Sequence, residues 1–332
     1  LIVLDGSHPD NIHLKWSAKN KPVARIRKGE EVKVVIPDSS TNQIKENWSS
    51  SDLKKLDFSK VDASVGPIYV EGAHKGDTLE VELVSVEPGE FGWSMISEEF
   101  GFLKHVFAPE LVVWDISRGY AIPRKKFLEG VKVPVEPFLG IVGVAPPTGE
   151  YGMIPPQRFG GNMDNRLLKS GAKLYLPVFV DGALLSVGDP HAAQGDGEVT
   201  GTAIETSATA VLRIGVVHGD PPKFPVILSN EKGSEVLACT GISSDLYQAS
   251  RLALDNALDQ LERRGFTKKE AYVLCSVAGN LRISEIVDEP NFLVTMAVPT
   301  RFIQQHQKGS EPPQRPKSQL ETPPLEGQSS HQ

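Results

Sequence analysis

The sequence predicts a mainly β protein, sandwich- or barrel-like, with an α+β C-terminal portion. Three observations carry this. Leu79, Val81 and Leu83 alternate with Glu80 and Glu82, and side chains two apart share one face of a strand, so this strand is buried on one side. No stretch before residue 240 has helical spacing of convincing length. After it, Leu246, Ala249, Leu252, Ala253, Ala257 and Leu261 recur at helical spacing behind the N-capping group Ser243-Ser244-Asp245.

The elements follow in chain order. Lys33 to Ile36 is a short strand between the turn residues Lys28-Gly29-Glu30 and Pro37-Asp38-Ser39-Ser40. Residues 38–64 are polar and read as a long loop with a helical turn. Trp93 to Trp114 reads as an aromatic loop. Val131, Val133 and Val135 repeat the period of two, and Ile141 to Ala145 is a strand closed by Pro146-Pro147. Gly160-Gly161-Asn162-Met163-Asp164-Asn165, taken alone, is a turn. Ala172 to Val180 is a strand whose Pro177 marks an edge or bulge. Asp181-Gly182 signals a hairpin. Val199 to Glu205 is expected to be extended, with Glu205 sharing a face with Val199, Gly201 and Ala203, and residues 207–217 form the next strand. Gly265 stops the first helix and Thr267 caps the next turn. Ala271 to Val277 is either a helix end or a buried strand, and Val294 to Val298 is a strand. From Gln304 onward apolar residues almost vanish, which predicts disorder. Three regions result: a β-rich catalytic region 1–240, an α+β region 241–303 that completes the fold, and a disordered tail 304–332.

Composition excludes several classes of function. The chain has 332 residues, 39% of them apolar, and a net charge of −7, with a pI near 5.7 and mean hydropathy of −0.20. The acidic balance argues against nucleic acid or an anionic membrane as partner. No apolar run approaches the roughly 18 residues of a membrane span. Leu1-Ile2-Val3-Leu4-Asp5 is too short for a secretory signal. The chain does not begin on methionine, so a preceding segment is left open. Cys239 and Cys275 are the two cysteines. Both sit among apolar residues and read as core thiols in a reducing, cytoplasmic compartment.

The chemistry concentrates in Gly188-Asp189-Pro190-His191-Ala192-Ala193-Gln194-Gly195-Asp196-Gly197-Glu198-Val199-Thr200-Gly201-Thr202-Ala203-Ile204-Glu205. Glycines let a backbone turn tightly and approach a ligand, so the polar side chains between them can converge. Asp189 and His191, two apart, can face the same way. Glu205 falls on a small, apolar-leaning face, where a bare carboxylate is costly unless paired or coordinated. One histidine and several carboxylates are the donors of a divalent metal, zinc with mixed N/O ligands being the usual hydrolytic choice. The alternative reading of His191, a hydrogen-bonded structural histidine, stays open. A Gly-x-Ser-x-Gly elbow, a Walker loop, a dinucleotide-binding glycine motif and a His-Glu-x-x-His helix are all absent. No organic cofactor is expected.

This motif, with Gly160 to Asp164, Gly66-Pro67-Ile68-Tyr69-Val70-Glu71-Gly72-Ala73, Gly76-Asp77-Thr78-Leu79, the helix from Asp245 and Tyr272 to Ala278, resembles the acetamidase/formamidase family across most of residues 1–303. One departure is Gly279-Asn280, where an acidic residue is expected near Leu281. The resemblance implies a mainly β enzyme that hydrolyses formamide or acetamide to ammonia and the carboxylate. It also implies a homo-oligomer, and a divalent metal in at least some relatives.

A scheme built from the residue types makes Asp164, His191, Asp196 and Glu205 the metal ligands. The metal is zinc, with calcium as the other candidate. His191, Glu198, Glu205 and Asp196 are the catalytic candidates, with Glu198 as general base and acid. Asn162 and Gln194 are expected to orient the substrate amide. Two alternatives stand beside it: a hydrolase of small lactams on the same site, and a non-catalytic calcium-binding β module.

Overall fold

The computed structural model describes residues 1–309. Strand exceeds helix, 41% to 16%, which settles the class as mainly β. The alternating Leu79, Val81 and Leu83 lie in the strand Thr78–Pro88, at the centre of a nine-stranded sheet. Ala208–Val217 runs antiparallel on one side of it and Lys173–Pro177 on the other. The three alternating residues are fully buried, as one-sided burial requires.

A second sheet of eleven strands lies over the first. Its backbone is Leu185–Ala193, flanked by Phe138–Gly143 and Ile204–Glu205 and paired also with Ser64–Glu71. The main core fills the space between the sheets. Val34, Val81 and Leu212 from one meet Val65, Ile141 and Val187 from the other in a single apolar cluster. This is the sandwich arrangement of two sheets burying one face each.

The C-terminal helices Leu246–Glu262 and Lys268–Ala278 cover the outer face of the nine-stranded sheet. Asp245 and Thr267 cap them through the main-chain N–H groups of Gln248 and Glu270. Ala249, Ala253 and Ala257 face Leu237, Cys239 and Met296. Small residues let the helix lie close, and a Cβ on Gly241 would strike the helix backbone at Ala249 and Ala253. Both cysteines are buried thiols. The strand Ser234–Ser243 crosses the expected boundary at residue 240 and pairs with strands on both sides of it. The C-terminal region therefore extends a shared sheet.

Some expectations need correction. Trp93 to Trp114 is not a loop: Phe91–Ile96 and Glu110–Ser117 are paired strands, their aromatic rings buried between neighbours. Val199 to Glu205 is not extended throughout. Gly201 has φ +82°, a turn ends the loop, and only Ile204–Glu205 is strand. Asp181-Gly182 does not join a hairpin, since the strands on either side belong to different sheets. Pro177 sits at a strand end, where the lack of an N–H costs nothing. Ala271 to Val277 is helix. Thr300–Gly309 is helix too, so the expected tail begins inside an ordered element; residues 310–332 lie outside the described residues. No helix among the described residues is long and apolar enough to cross a membrane.

Candidate active site

The strand Leu185–Ala193 places Asp189 and His191 two residues apart on one side, as its period dictates. Antiparallel pairing sets Glu205 directly beside His191. On the other flank Phe138 pairs with His191 and stacks edge-on to its ring, with centroids 4.9 Å apart. Asp164 follows the short strand Gly160–Asn162, and Glu198 descends from the glycine loop. All five side chains are buried. Asp189, His191 and Glu205, and again Asp164, His191 and Glu198, each bring three ligand atoms within 4.8 Å of one another.

The backbone is bent to achieve this. Asp164 (φ 41°), Asp189 (φ 50°) and Glu198 (φ 47°) all occupy the left-handed region, which L-residues with a Cβ avoid at a cost of about 1–3 kcal/mol each. Three of four central carboxylates in strained conformations mark a place where geometry has prevailed over local preference. Gly140 supplies the room. A Cβ there would sit 2.5 Å from both Asp164 Oδ1 and Asp189 Oδ2.

The hydrogen bonds of His191 fix its tautomer. Gln194 Nε2 donates to the Asp164 carbonyl at 2.7 Å, which leaves Gln194 Oε1 facing His191 Nδ1 at 3.0 Å. An amide oxygen only accepts, so Nδ1 carries the proton. Nε2 then points at Glu205 Oε2 (3.0 Å), Asp189 Oδ2 (3.1 Å) and Glu198 Oε1 (3.9 Å). Close as these oxygens are, Nε2 makes no hydrogen bond among the described residues. Both oxygens of Asp164 and Oδ1 of Asp189 are likewise buried without one.

The electrostatics follow from so much negative charge out of water. Burial, with the charge of Asp189 added, raises the Asp164 carboxyl to about 7. Burial raises Glu205 to about 8 despite the attraction of His191. Glu198 is pushed well up, by burial and then by Asp164. Burial also raises Asp189, but the His191 charge and neighbouring protonated carboxyls outweigh it and hold that group below its ordinary value. Burial opposes charge on His191, and the carboxylates around it win and raise it well above 6.5. Four carboxyls crowded around one imidazole, three of them with ionisation opposed by burial, are short of positive charge. The donors present, one imidazole nitrogen and several carboxylate oxygens around a glycine-lined space, fit a divalent metal ion.

The remaining predicted residues divide. Asn162 is at the site: Nδ2 donates to Asp288 Oδ2 at 2.9 Å, and its buried Oδ1 has no partner among the described residues. Gln194 is adjacent, but both ends of its amide are engaged in holding His191 and Asp164. Asp196 is not brought into the cluster. Arg282 Nη2 and Nε reach it at 2.8–2.9 Å and Arg166 Nε at 3.0 Å, and both arginines also hold Glu231. Opposite charge draws Asp196 outward, where it ties down the loop that carries Glu198. Gly197 completes the tie through main-chain bonds to Ser284 and Ile286.

Asp189, expected from the sequence to face the same way as His191, was not among the assigned ligands, and the residues that follow were not singled out for the site at all. Asp62 turns its carboxyl inward, and burial with the charges of Asp189, Glu205 and Asp164 drives it well up. Glu285, raised to about 8 mainly by burial, and Asp288 come from the C-terminal region. Ser39 Oγ donates to Glu205 Oε2 at 2.8 Å, and the Ala203 N–H to Oε1 at 2.8 Å.

Comparison with known proteins places this geometry. The acetamidase/formamidase family model matches residues 5–150 and 149–305. A formamidase of Methylophilus methylotrophus is 27% identical, the match covering 88% of this chain and 89% of that protein. An acetamidase of Mycolicibacterium smegmatis is 25% identical over 79% of this chain and 84% of its own. The structure of a predicted acetamidase/formamidase from Thermoanaerobacter tengcongensis superposes with a TM-score of 0.83 at 32% identity, covering 92% of this chain and 98% of that one. A gamma lactamase from Delftia acidovorans superposes less closely, with a TM-score of 0.63 at 25% identity over 89% and 90%.

Proposed function

We propose that this chain, which belongs to the acetamidase/formamidase family and is an amidohydrolase acting on linear amides, hydrolyses a short aliphatic amide such as formamide or acetamide by metal-assisted attack of water. The reaction is RCONH2 + H2O → RCOO⁻ + NH4⁺. The observation that carries the reading is the convergence of three carboxylates within 3.0–3.9 Å of His191 Nε2, which makes no hydrogen bond to any described residue. Asp189, His191 and Glu205 would hold the ion, zinc by the nitrogen in the set, with Asp164 beside them. When bound it lowers the pKa of water and polarises the amide carbonyl.

The chain's own groups supply the rest. Of the three carboxylates within 4.0 Å of His191 Nε2, Glu198 is the farthest, at 3.9 Å, and the upward push on its carboxyl suits a group that takes a proton from water and returns it to the leaving nitrogen. Asn162 Oδ1, free of a protein donor, accepts from the substrate NH2 and orients it. Gln194 fixes the imidazole, and Asp196 with Arg282 and Arg166 fixes the loop, so both act as positioning residues. A linear amide is preferred to a lactam because the acetamidase structure is the closer match of the two. Family membership sets aside the calcium-binding module.

Self-association and a cytoplasmic location belong to the same proposal. The exposed apolar run Phe102, Leu103, Val106 and Phe107 supports the first, and two buried thiols support the second. Ammonia release from formamide and acetamide by the purified chain, before and after chelation, tests the reaction. Release that chelation abolishes and zinc restores is expected. Release indifferent to chelation would keep the amidase and remove the metal.

A further inference from the structure

We infer that the preferred substrates are amides whose acyl group is apolar and longer than acetyl, seated in a cavity beside the acidic cluster; this rests on the amide-hydrolase reading above. The cavity has a volume of about 350 Å³ and is lined by Leu56, Phe58, Trp93, Met95, Phe100 and Ile154. Its polar wall includes Ser39, Asp62 and the charged Glu99. The first two also wall the cluster: Ser39 Oγ bonds Glu205, and Asp62 feels the charges of Asp189, Glu205 and Asp164. Polar groups at the cluster and an apolar lining beyond describe a site for a carbonyl with a hydrocarbon chain behind it.

Size argues the same way. Acetamide has four heavy atoms, whereas this cavity has room for on the order of ten waters. The walls are held open. Trp93 pairs with Glu205 across adjacent strands, and its Nε1 donates to Asp38 Oδ2 at 3.1 Å. Phe58 stands at the rim 58% exposed, an aromatic surface that an alkyl chain would cover. The cavity of about 530 Å³ on the Glu198 side sets Glu136, Arg166 and Asp196 beside Val133, Pro134 and Ile204, a more polar wall than that of the cavity at Ser39 and Asp62.

The test is kcat/KM for formamide, acetamide, butanamide and hexanamide, measured on the full chain and on Ile154→Trp and Phe58→Ala, with folding checked by thermal melting. Burial of each methylene corresponds to a gain of about three- to fourfold, so hexanamide should exceed acetamide by on the order of a hundredfold. Ile154→Trp fills the cavity and should lower hexanamide turnover at least tenfold while leaving acetamide within about twofold. Phe58→Ala, at the rim, should weaken the length preference with the fold intact. Equal or falling kcat/KM along the series in the unmodified chain would overturn the inference and leave the amidase reading standing. An equal loss on every amide in both folded variants would also overturn it. No turnover of any amide would remove both.

Discussion

Gln194 holds His191 in one tautomer: its side-chain oxygen lies 3.0 Å from Nδ1 because its nitrogen is committed to the Asp164 carbonyl. The lone pair of the neutral ring is thereby directed at Nε2, toward Asp189 and Glu205. Partners of this kind orient a metal-binding histidine, and their loss typically costs 10–100-fold in metal affinity or activity. Gln194→Leu should therefore weaken zinc binding by about that factor, while Gln194→Glu, which still accepts from Nδ1 but cannot donate to Asp164, should fall between. Metal titration followed by equilibrium dialysis separates the three proteins.

Gly140 is the second test. A Cβ there would overlap the space between Asp164 and Asp189. Gly140→Ala should lose metal and hydrolysis together, and the crowding should cost about 1–3 kcal/mol of stability. Full activity in a folded Gly140→Ala would mean the two carboxylates do not work at that spacing.

Asp196 separates the residue-type scheme from the geometry. As a ligand, its replacement would remove the metal. As the partner of Arg282 and Arg166, its replacement should loosen the Glu198 loop. Asp196→Asn and Arg282→Ala should thus share one phenotype: metal content retained and kcat reduced about tenfold. Metal analysis beside steady-state kinetics decides between them.

Much of this was legible in the sequence and some was not, for physical reasons. One-sided burial imprints alternation on Thr78–Pro88, and a helix lying on a sheet imprints the alanine spacing of Leu246–Glu262, so both could be read. The strand Phe91–Ile96 hid because glycine and aromatics blur its period. The motif located the cluster, since Asp189, His191, Glu198 and Glu205 are near neighbours in sequence. Asp196 was misplaced there because the arginines that draw it outward lie 30 and 86 residues away. Asp62, Glu285 and Asp288 arrive through long-range pairing that local spacing does not encode.

His13 carries a pH dependence away from the cluster. Burial holds its imidazole down at about 4, with Nε2 hydrogen-bonded to Ser186 Oγ at 2.8 Å. The unfolded chain takes up this proton near 6.5 and the folded chain only near 4, so stability is unaffected above 6.5 and is lost as pH falls between them. The loss should reach about 2 kcal/mol, allowing for partial exposure. Denaturant unfolding at pH 7 and pH 4.5 should show a smaller difference for His13→Gln than for the unmodified chain.

The central claim is that His191 and the carboxylates around it form a metal-dependent hydrolytic centre. Zinc content and ammonia release, measured together on the unmodified chain and on His191→Ala, test it most directly. About one zinc per chain with turnover, both lost in a folded His191→Ala, is the predicted result. Near-normal ammonia release from His191→Ala would contradict it.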